Sequence, residues 1–584
     1  MPTPFFSRSR LLTTVGLSLA LGLALSAPAS AQTAGQITPD SFAPPVIRSE
    51  SGGLTLSAPS GLKAPEGAEA LTVTPSGMVV EGGLPDIADE TAAIAARLTN
   101  KTVSGADLFA AARDLETAAI QAGHILTRVV LPPQTLKDGD PLRLTLVTGH
   151  VEAVDASALP ERVRGRVEDL LASFVGRTDV TQAALERRLL LAGDIPGILL
   201  RSTLAPGTEE GGTILVIEGR QDPFGAFLTL DNGLSDSLGT FTFGLGLDAN
   251  SLLGLGETAY LRVGGYPGTK DGTLFDSDPR NRQLAGGVIV PLGVDAPWFN
   301  LEAVQSQTHG TTDLAYTLSD DFFRATAKLG YTWIRGREAN TASTLAFDLI
   351  NEAQTLHFSG QTFDFTEDRL RVLRLGQTGD ITLPWGATLS GSATASFGVN
   401  ALGAREATTA LPLSRDGAKP SFQKLEGTLG YTQNLFADRT RLSLAGKAQT
   451  SFGQTLPSSE MFSLGGADWL SAFDSGTFSG DMGAAGRAEL SAPFTSALLQ
   501  DSLPGLGGAA APYLFGALGA VKLEQPSAVE RGITMGSSMG VGLRLGLSQQ
   551  ATAHGAMLSA EYALGSAAGK DTENRFNLRM MVRF

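Results

Sequence analysis

The sequence predicts two small α+β units followed by an all-β transmembrane barrel of about 16 antiparallel strands, and three observations carry that prediction. First, along Phe576–Phe584 the residues Phe576, Leu578, Met580, Val582 and Phe584 share one face of a strand, whereas Asn577, Arg579, Met581 and Arg583 share the other. Successive strand side chains point to opposite faces, so one face is greasy and the other polar or cationic. An apolar exterior over a polar lumen, ending on an aromatic residue, is the expected form of a barrel's closing strand. Second, helical periodicity disappears downstream of Asp222 and alternation replaces it. Third, beyond the amino-terminal leader no stretch reaches the roughly 18 apolar residues of a membrane helix. A membrane-embedded form must therefore be a closed barrel.

The leader comes first in the chain. Arg8 and Arg10 precede the apolar run Leu11–Leu25, and Ala29-Ser30-Ala31 forms a small-x-small cleavage site. Residues 1–31 read as a secretory signal peptide, with the mature chain starting near Gln32. The 584 residues include no cysteine, which excludes disulfides and thiolate chemistry in an oxidising compartment. The formal charge of −15 becomes −17 when the leader, with two arginines and no acid, is removed. Such an acidic chain is a poor match for nucleic acid. Seventy glycines favour strands and loops over helix bundles.

Residues 32–70 contain Pro39, Pro44, Pro45, Pro59 and Pro65 and read as a flexible lead segment without a core. Residues 71–149 form the first α+β unit. Ile87–Leu98 suits a short helix, and Asp107–Ala122 suits a longer one, with Leu108, Ala112, Leu115 and Ala119 on one face and Gly123 placed to end it. Ile125–Leu131 reads as a strand stopped by Pro132-Pro133, and Leu142, Leu144 and Leu146 alternate along another. Residues 150–220 repeat this order. Val151–Val154 is a strand, Val163, Val167, Leu170, Leu171 and Phe174 stripe a helix, and Asp179 with Gln182 suggests the capped start of a second helix. Strands around Ile198–Leu204 and Thr213–Ile217 complete the unit, so the two units stand in tandem.

Residues 221–584 alternate repeatedly, as in Phe241, Phe243, Leu245 and Leu247, in Val541, Leu543, Leu545 and Leu547, and in Leu558, Ala560, Tyr562 and Leu564. Asp231-Asn232-Gly233 and Pro267-Gly268 mark turns between them. About 360 residues at roughly 20 to 23 per strand and loop give on the order of 16 strands.

Catalytic signals are weak. Gly536-Ser537-Ser538-Met539-Gly540 matches a serine-hydrolase pattern, but the following Val541–Leu547 alternates as a strand, whereas that motif needs a strand-to-helix turn. His124, His150, His309, His357 and His554 have no metal-ligand spacing. No glycine-rich phosphate loop is present. The expectation is a protein that is not an enzyme and takes no cofactor or metal.

Three stretches carry a family resemblance. Gly123–Gly149 (GHILTRVVLPPQTLKDGDPLRLTLVTG), Leu185–Ile217 with its turns Asp194-Ile195-Pro196-Gly197 and Leu204-Ala205-Pro206-Gly207, and Ser458–Leu490 resemble the two-partner secretion transporters. These form the haemolysin secretion/activation protein family within the POTRA-barrel superfamily. The resemblance implies two POTRA domains (71–149 and 150–220) in the periplasm and a barrel (221–584) in the bacterial outer membrane. The implied activity is export of an unfolded exoprotein, with assembly or insertion of other barrels as the alternative within the superfamily. A passive porin or receptor would not need the tandem units. The implied partners are a large secreted exoprotein (adhesin, haemolysin or contact-dependent toxin), outer-membrane lipid and the barrel assembly machinery. Clients are expected to add a strand to POTRA sheet edges, here at Ile125, Val129, Leu131, Leu215 and Ile217.

The third stretch resembles a loop that folds back into the barrel. Its tip, Leu470-Ser471-Ala472-Phe473, stands where relatives have Val-Arg-Gly-Phe. The family's partner strand, Phe-x-Asp-x-Gly, is matched by Phe515, Ala517 and Gly519, so the arginine and its aspartate are both missing. Removing both members of a buried ion pair can be nearly neutral, whereas removing one strands a charge. The double absence implies a loop still tucked inside, held by Phe473 and neutral contacts. Relatives also carry a plug helix, and the prolines of the lead segment make any such helix here short. Alternation places Arg575, Arg579 and Arg583 toward the lumen.

Overall fold

The computed structural model describes residues 32–44, 54–55, 64–178, 180–209, 211–269, 272–311, 316–495, 506–549, 554–569 and 571–584. The leader therefore lies outside the described residues, as does Asp179. After a one-turn helix α1 (Ala34–Ile37), the first unit contains β1 (Gly77–Glu81), α2 (Ala88–Leu98), α3 (Gly105–Gln121), β2 (Arg128–Val130) and β3 (Pro141–Val147). Ser104 caps α3 by accepting from the Asp107 N–H, and Asp107 returns a bond to the Ser104 N–H, satisfying two groups that a helix start leaves unpaired. That backbone bond also holds the Asp107 carboxyl below its ordinary pKa. Gly123, at φ +97°, ends the helix in a conformation glycine adopts without strain.

The second unit has the same element order: β4 (His150–Asp155), α4 (Glu161–Leu171), α5 (Gln182–Gly193), β5 (Ile198–Pro206) and β6 (Gly212–Gln221). The cap of α5 is Thr181, whose hydroxyl accepts from the Ala184 N–H, in place of the expected Asp179. The two units share a joint. Ile125 and Leu126 belong by sequence to the first unit but are buried in the core of the second, beside Val151, Leu185, Leu215 and Ile217. Only Arg128–Val130 of the predicted Ile125–Leu131 strand pairs in the sheet, because the residues before it cross between the two cores. Val294, from a turn of the barrel, packs against the same core.

Sixteen antiparallel strands close the barrel, from Phe224–Asp231 round to Glu573–Arg583. The seam pairs Phe227 with Arg583 through to Asp231 with Arg579, and Asn232 prolongs it by donating to the Phe576 carbonyl at 2.7 Å and accepting from the Leu578 N–H at 2.8 Å. Strands Tyr316–Arg335, Ala339–Phe358 and Gln361–Thr382 have 20, 20 and 22 residues. A bilayer needs roughly 9–11 residues per tilted strand, so this side of the cylinder extends well past the hydrocarbon. No helix among the described residues is long and apolar enough to cross a membrane.

The burial pattern is inside-out relative to a water-soluble sheet. Glu302, Asp320, Arg324, Asp348 and Glu352 are buried, while Leu301, Phe323, Leu329, Leu345 and Leu349 on the same strands are exposed. Alternation through the closed wall sends the charged set into the lumen and the apolar set outward to lipid. The last strand follows suit: Phe576, Met580 and Phe584 are exposed, and Asn577 is buried. Leu429, in the middle of strand Gln423–Leu435, faces outward at 59% exposure. Leu429→Arg is expected to lower the unfolding free energy in liposomes by about 2–4 kcal/mol, read by denaturant titration.

Candidate functional site

Two parts of the chain occupy the lumen, and both are attached to the wall by side chains that the alternating pattern turns inward. The first is the loop from Ser451 to Asp481. It carries a small hairpin, Phe462–Leu464 with Phe478–Gly480, and its tip residues Leu470, Ser471, Ala472 and Phe473 are all buried. Phe473 stacks edge-on against Phe478 with ring centroids 4.9 Å apart. Phe515 and Ala517 join the same apolar cluster. A Cβ added to Gly519 would lie 2.6 Å from Leu464, and one added to Gly565 would lie 2.5 Å from Ala472 and 2.7 Å from Phe473. Glycine at these wall positions is what lets the loop approach so closely. The structure thus brings together the predicted tip and its predicted partner strand.

The tip is also held by polar contacts. Ser538 accepts from the Ala472 N–H at 3.0 Å, and Asn577 donates to the Ser471 carbonyl at 2.8 Å. Ser538 is the serine of the hydrolase-like motif, but it lies inside the continuous strand Ile533–Gln549 and is almost fully buried. A flat strand offers no nucleophile elbow, so its hydroxyl serves as a loop contact.

The expected purely neutral hold is corrected by charged wall residues around the tip. Arg487, from the wall strand Met482–Ser491, reaches the Trp469 carbonyl and the Ser471 hydroxyl at 3.5 Å each. Its guanidinium lies 3.8 Å from the Phe515 ring centroid and pairs with Glu561 at 2.6 Å. Glu561 in turn accepts from Tyr513 at 2.8 Å. Both charges sit on the wall, so the tip itself carries none.

The ends of the loop are fixed by ion pairs. Glu460, 1% exposed, meets Arg374 at 2.5 Å and Lys424 at 2.9 Å, and Arg374 also meets Asp348 at 2.6 Å. Asp481, fully buried, pairs with Arg415 at 2.7 Å and accepts from the backbone N–H groups of Leu456 and Glu524. Arg575 bonds Asp474, and Arg579 pairs with Asp468 at 2.6 Å, which gives these two lumen-facing arginines of the last strand a role at the loop.

The second occupant is the lead segment. Composition predicts a flexible stretch, yet residues 32–44 run along the inner wall, because lumen side chains satisfy the backbone that prolines and a single helical turn leave unpaired. Asp320 accepts from the Ala34 N–H at 3.2 Å, Glu352 from the Gly35 N–H at 3.1 Å, and Glu302 from the Phe42 N–H at 2.8 Å. Leu54–Thr55 of the same segment pairs in parallel with Ser202–Thr203 of β5.

The POTRA-like edges require a second correction. In the second unit the sheet order places β6 between β5 and β4, so Leu215 and Ile217 lie on a central strand and point into the core, not along an open edge. The outer strands are β5, partly covered by Leu54–Thr55, and β4. In the first unit β2 is an outer strand; Val129 is buried in that unit's core and Leu131 packs partly against it. Ile125 is in the joint described above.

Sequence reasoning missed Glu302, Asp320, Glu352, Glu460 and Arg487. Their signal was the alternation of charged and apolar residues inside long strands. His309 and His357, distant in sequence, meet through Ser319 at 2.6 and 2.8 Å, and among the described residues no acidic or histidine cluster has metal-ligand form.

Residues 76–149 match the ShlB-type POTRA domain, and residues 211–543 match the family described as haemolysin secretion/activation protein ShlB/FhaC/HecB. The chain belongs to that family. The heme/hemopexin transporter protein HuxB of Haemophilus influenzae is 23% identical over 259 residues, which is 42% of this chain and 45% of that protein. The chain thus matches under half the length of that curated relative. CdiB from Escherichia coli has the same fold across the whole of both chains, with a TM-score of 0.63 at 19% identity. CdiB from Acinetobacter baumannii, again over both full chains, gives 0.55 at 17%. BamA from Haemophilus ducreyi lacking POTRA domains 1–3 gives 0.51 at 11%, over 87% of this chain and 99% of that one. As a haemolysin secretion/activation family member, the chain is an outer-membrane barrel with its POTRA region on the periplasmic side.

The ion pairs at the loop's root predict a large effect from a single change. Glu460→Ala leaves Arg374 and Lys424 buried without their shared partner and is expected to destabilise the barrel by about 3–5 kcal/mol, measured by urea unfolding in detergent. Gly565→Val is expected to push the tip away from the wall and raise the single-channel conductance in planar bilayers.

Proposed function

We infer that this protein exports a large unfolded exoprotein across the outer membrane, with the POTRA pair as the periplasmic receptor and the barrel as the conduit. The observation that carries this reading is a lumen filled by two separable chain segments, below which the second α+β unit is locked to the periplasmic turns. That lock is extensive. Arg335 binds Asp194 through two bonds of 2.7 Å, Arg187 donates to the Thr332 and Trp333 carbonyls, and Arg166 donates to the Gly293 carbonyl at 2.7 Å. The Arg335–Asp194 pair is bidentate and little exposed, the geometry in which such pairs are strong. A receptor held in this way delivers an extended client to one place at the mouth of the barrel.

Client capture proceeds by strand addition at an outer strand, β2 in the first unit or β4 or β5 in the second, with main-chain bonds giving affinity. Outward movement needs the loop to leave the lumen. Its tip residues carry no charge, and the Asp468–Arg579 and Asp474–Arg575 pairs beside them are partly exposed, so release costs less there than at the buried root. Folding of the client outside then prevents its return without nucleotide. The exoprotein is an adhesin, a haemolysin or a contact-dependent toxin, and outer-membrane lipid and the barrel assembly machinery are the remaining partners.

The test is secretion of a candidate exoprotein co-expressed with this chain. Deleting residues 71–220 is expected to abolish its appearance in the medium while the barrel remains in the outer membrane. Unimpaired secretion by that deletion refutes the reading. Broad loss of other outer-membrane barrels on depletion, with secretion intact, points instead to an assembly factor.

A further inference from the structure

The barrel wall is not equally tall on all sides. In contrast to the long strands, Phe224–Asp231, Thr242–Asn250 and Thr258–Gly265 have only 8, 9 and 8 residues. A bilayer needs roughly 9–11 residues per tilted strand, so the periplasmic turn at 251–257 lies at the edge of the hydrocarbon. Leu252, Leu253 and Leu255 on that turn are exposed. They are held in place, because the buried Glu257 carboxylate accepts from the Leu253 and Leu255 N–H groups at 2.7 and 3.0 Å.

Helix α4 of the second unit lies against this turn: a Cβ added to Gly254 would stand 3.2 Å from the Arg162 carbonyl oxygen. Val163, Val167, Leu170 and Leu171 take one face of the helix into the core. The other face carries Glu161, Arg162, Gly165, Arg166 and Asp169, which together with Leu252 and Leu253 line an open cavity of about 810 Å³. Two charges of each sign thus face one space, and among the described residues neither arginine forms an ion pair. Arg166 donates one bond to the Gly293 carbonyl, and its Nε has no acceptor. Guanidinium groups left short of acceptors are the groups a phosphate satisfies. Gly165 has no atom within 4 Å of where its Cβ would stand, so packing does not call for glycine there. Its missing side chain leaves the cavity floor open.

We propose that this cavity binds the headgroup of an inner-leaflet phospholipid that carries a phosphate and a primary ammonium, phosphatidylethanolamine. The phosphate meets Arg162 and Arg166, whose planar forks match its oxygens. The ammonium meets Glu161 and Asp169, and the acyl chains pass Leu252 and Leu253 into the hydrocarbon. Charged surface lies below the bilayer edge and apolar surface at it, the order in which a phospholipid presents its parts. A glycerol headgroup offers the two acids no charge, and a choline lacks the N–H donors they require. The lipid sits at the joint between the second unit and the barrel, and the site does not depend on the export reading.

The test mixes the full-length protein in detergent micelles with short-chain phosphatidylethanolamine, phosphatidylglycerol or phosphatidylcholine and reads binding by native mass spectrometry. The ethanolamine lipid is expected to bind at least about tenfold more tightly than either of the others. Glu161→Gln together with Asp169→Asn is expected to erase that preference. Gly165→Phe, which keeps every charge and fills the floor, and Arg162→Ala are each expected to weaken binding of the ethanolamine lipid about tenfold. Arg166 is left in place because it also holds the Gly293 carbonyl. Heat-dependent gel mobility confirms a folded barrel in each variant, and circular dichroism reports the helices of the α+β units. Equal binding of the three lipids means annular lipid only and overturns the proposal, as does binding that Gly165→Phe leaves unchanged. Displacement of the lipid by an equal concentration of inorganic phosphate marks a free-phosphate site and overturns it too.

Discussion

A polypeptide in hydrocarbon must bond every backbone N–H and C=O to itself, and the closed ring of sixteen strands is how this chain does so. Everything else in the molecule follows from that closure. Once the wall is continuous, alternate side chains have nowhere to go but the lumen, and a lumen lined with carboxylates and guanidinium groups must be filled or paired. The chain fills it with its own segments. Glu460 neutralises Arg374 and Lys424, Asp481 meets Arg415, and N–H groups of the lead segment each bond one oxygen of Asp320, Glu352 and Glu302.

These contacts are not distributed evenly. The loop's ends are held by buried charge pairs, whereas its tip is held by shape, by single hydrogen bonds and by Arg487 from the wall. Ion pairs whose acids are 0–1% exposed are costly to break once formed, because each partner alone is left uncompensated. The tip residues carry no charge, and the Asp468–Arg579 and Asp474–Arg575 pairs that flank them are more exposed than the pairs at the root. Exposed pairs contribute little, so the hold weakens from root to tip. In relatives with an arginine at the tip, as the sequence resemblance implies, the charge belongs to the loop; here it stays on the cylinder.

Much of this was legible in the residues. The barrel was readable from the last strand, because alternation in Phe576–Phe584 has one interpretation when its greasy face is continuous with many others. The element order of both α+β units was readable from helical stripes such as Leu108–Leu115 and from the turn prolines and glycines. The Leu470–Phe473 tip could be placed by resemblance. Three things were hidden. Sheet order is not a local property, so nothing in Thr213–Ile217 reveals that β6 is flanked on both sides. The fate of Ile125 depends on a neighbouring unit's core. The lead segment looked disordered because its partners, Glu302, Asp320 and Glu352, come from strands some 260 to 320 residues away, a separation no local pattern encodes.

The position of residues 32–44 also constrains the order in which the molecule is built. They precede both α+β units in the chain, yet they sit within a cylinder formed by its last two-thirds. The acceptors Glu302, Asp320 and Glu352 stand on three successive wall strands, so those strands must be paired in register before the segment finds all three. Seating of the segment is therefore a late event of assembly, and a half-zipped ring has no place for it.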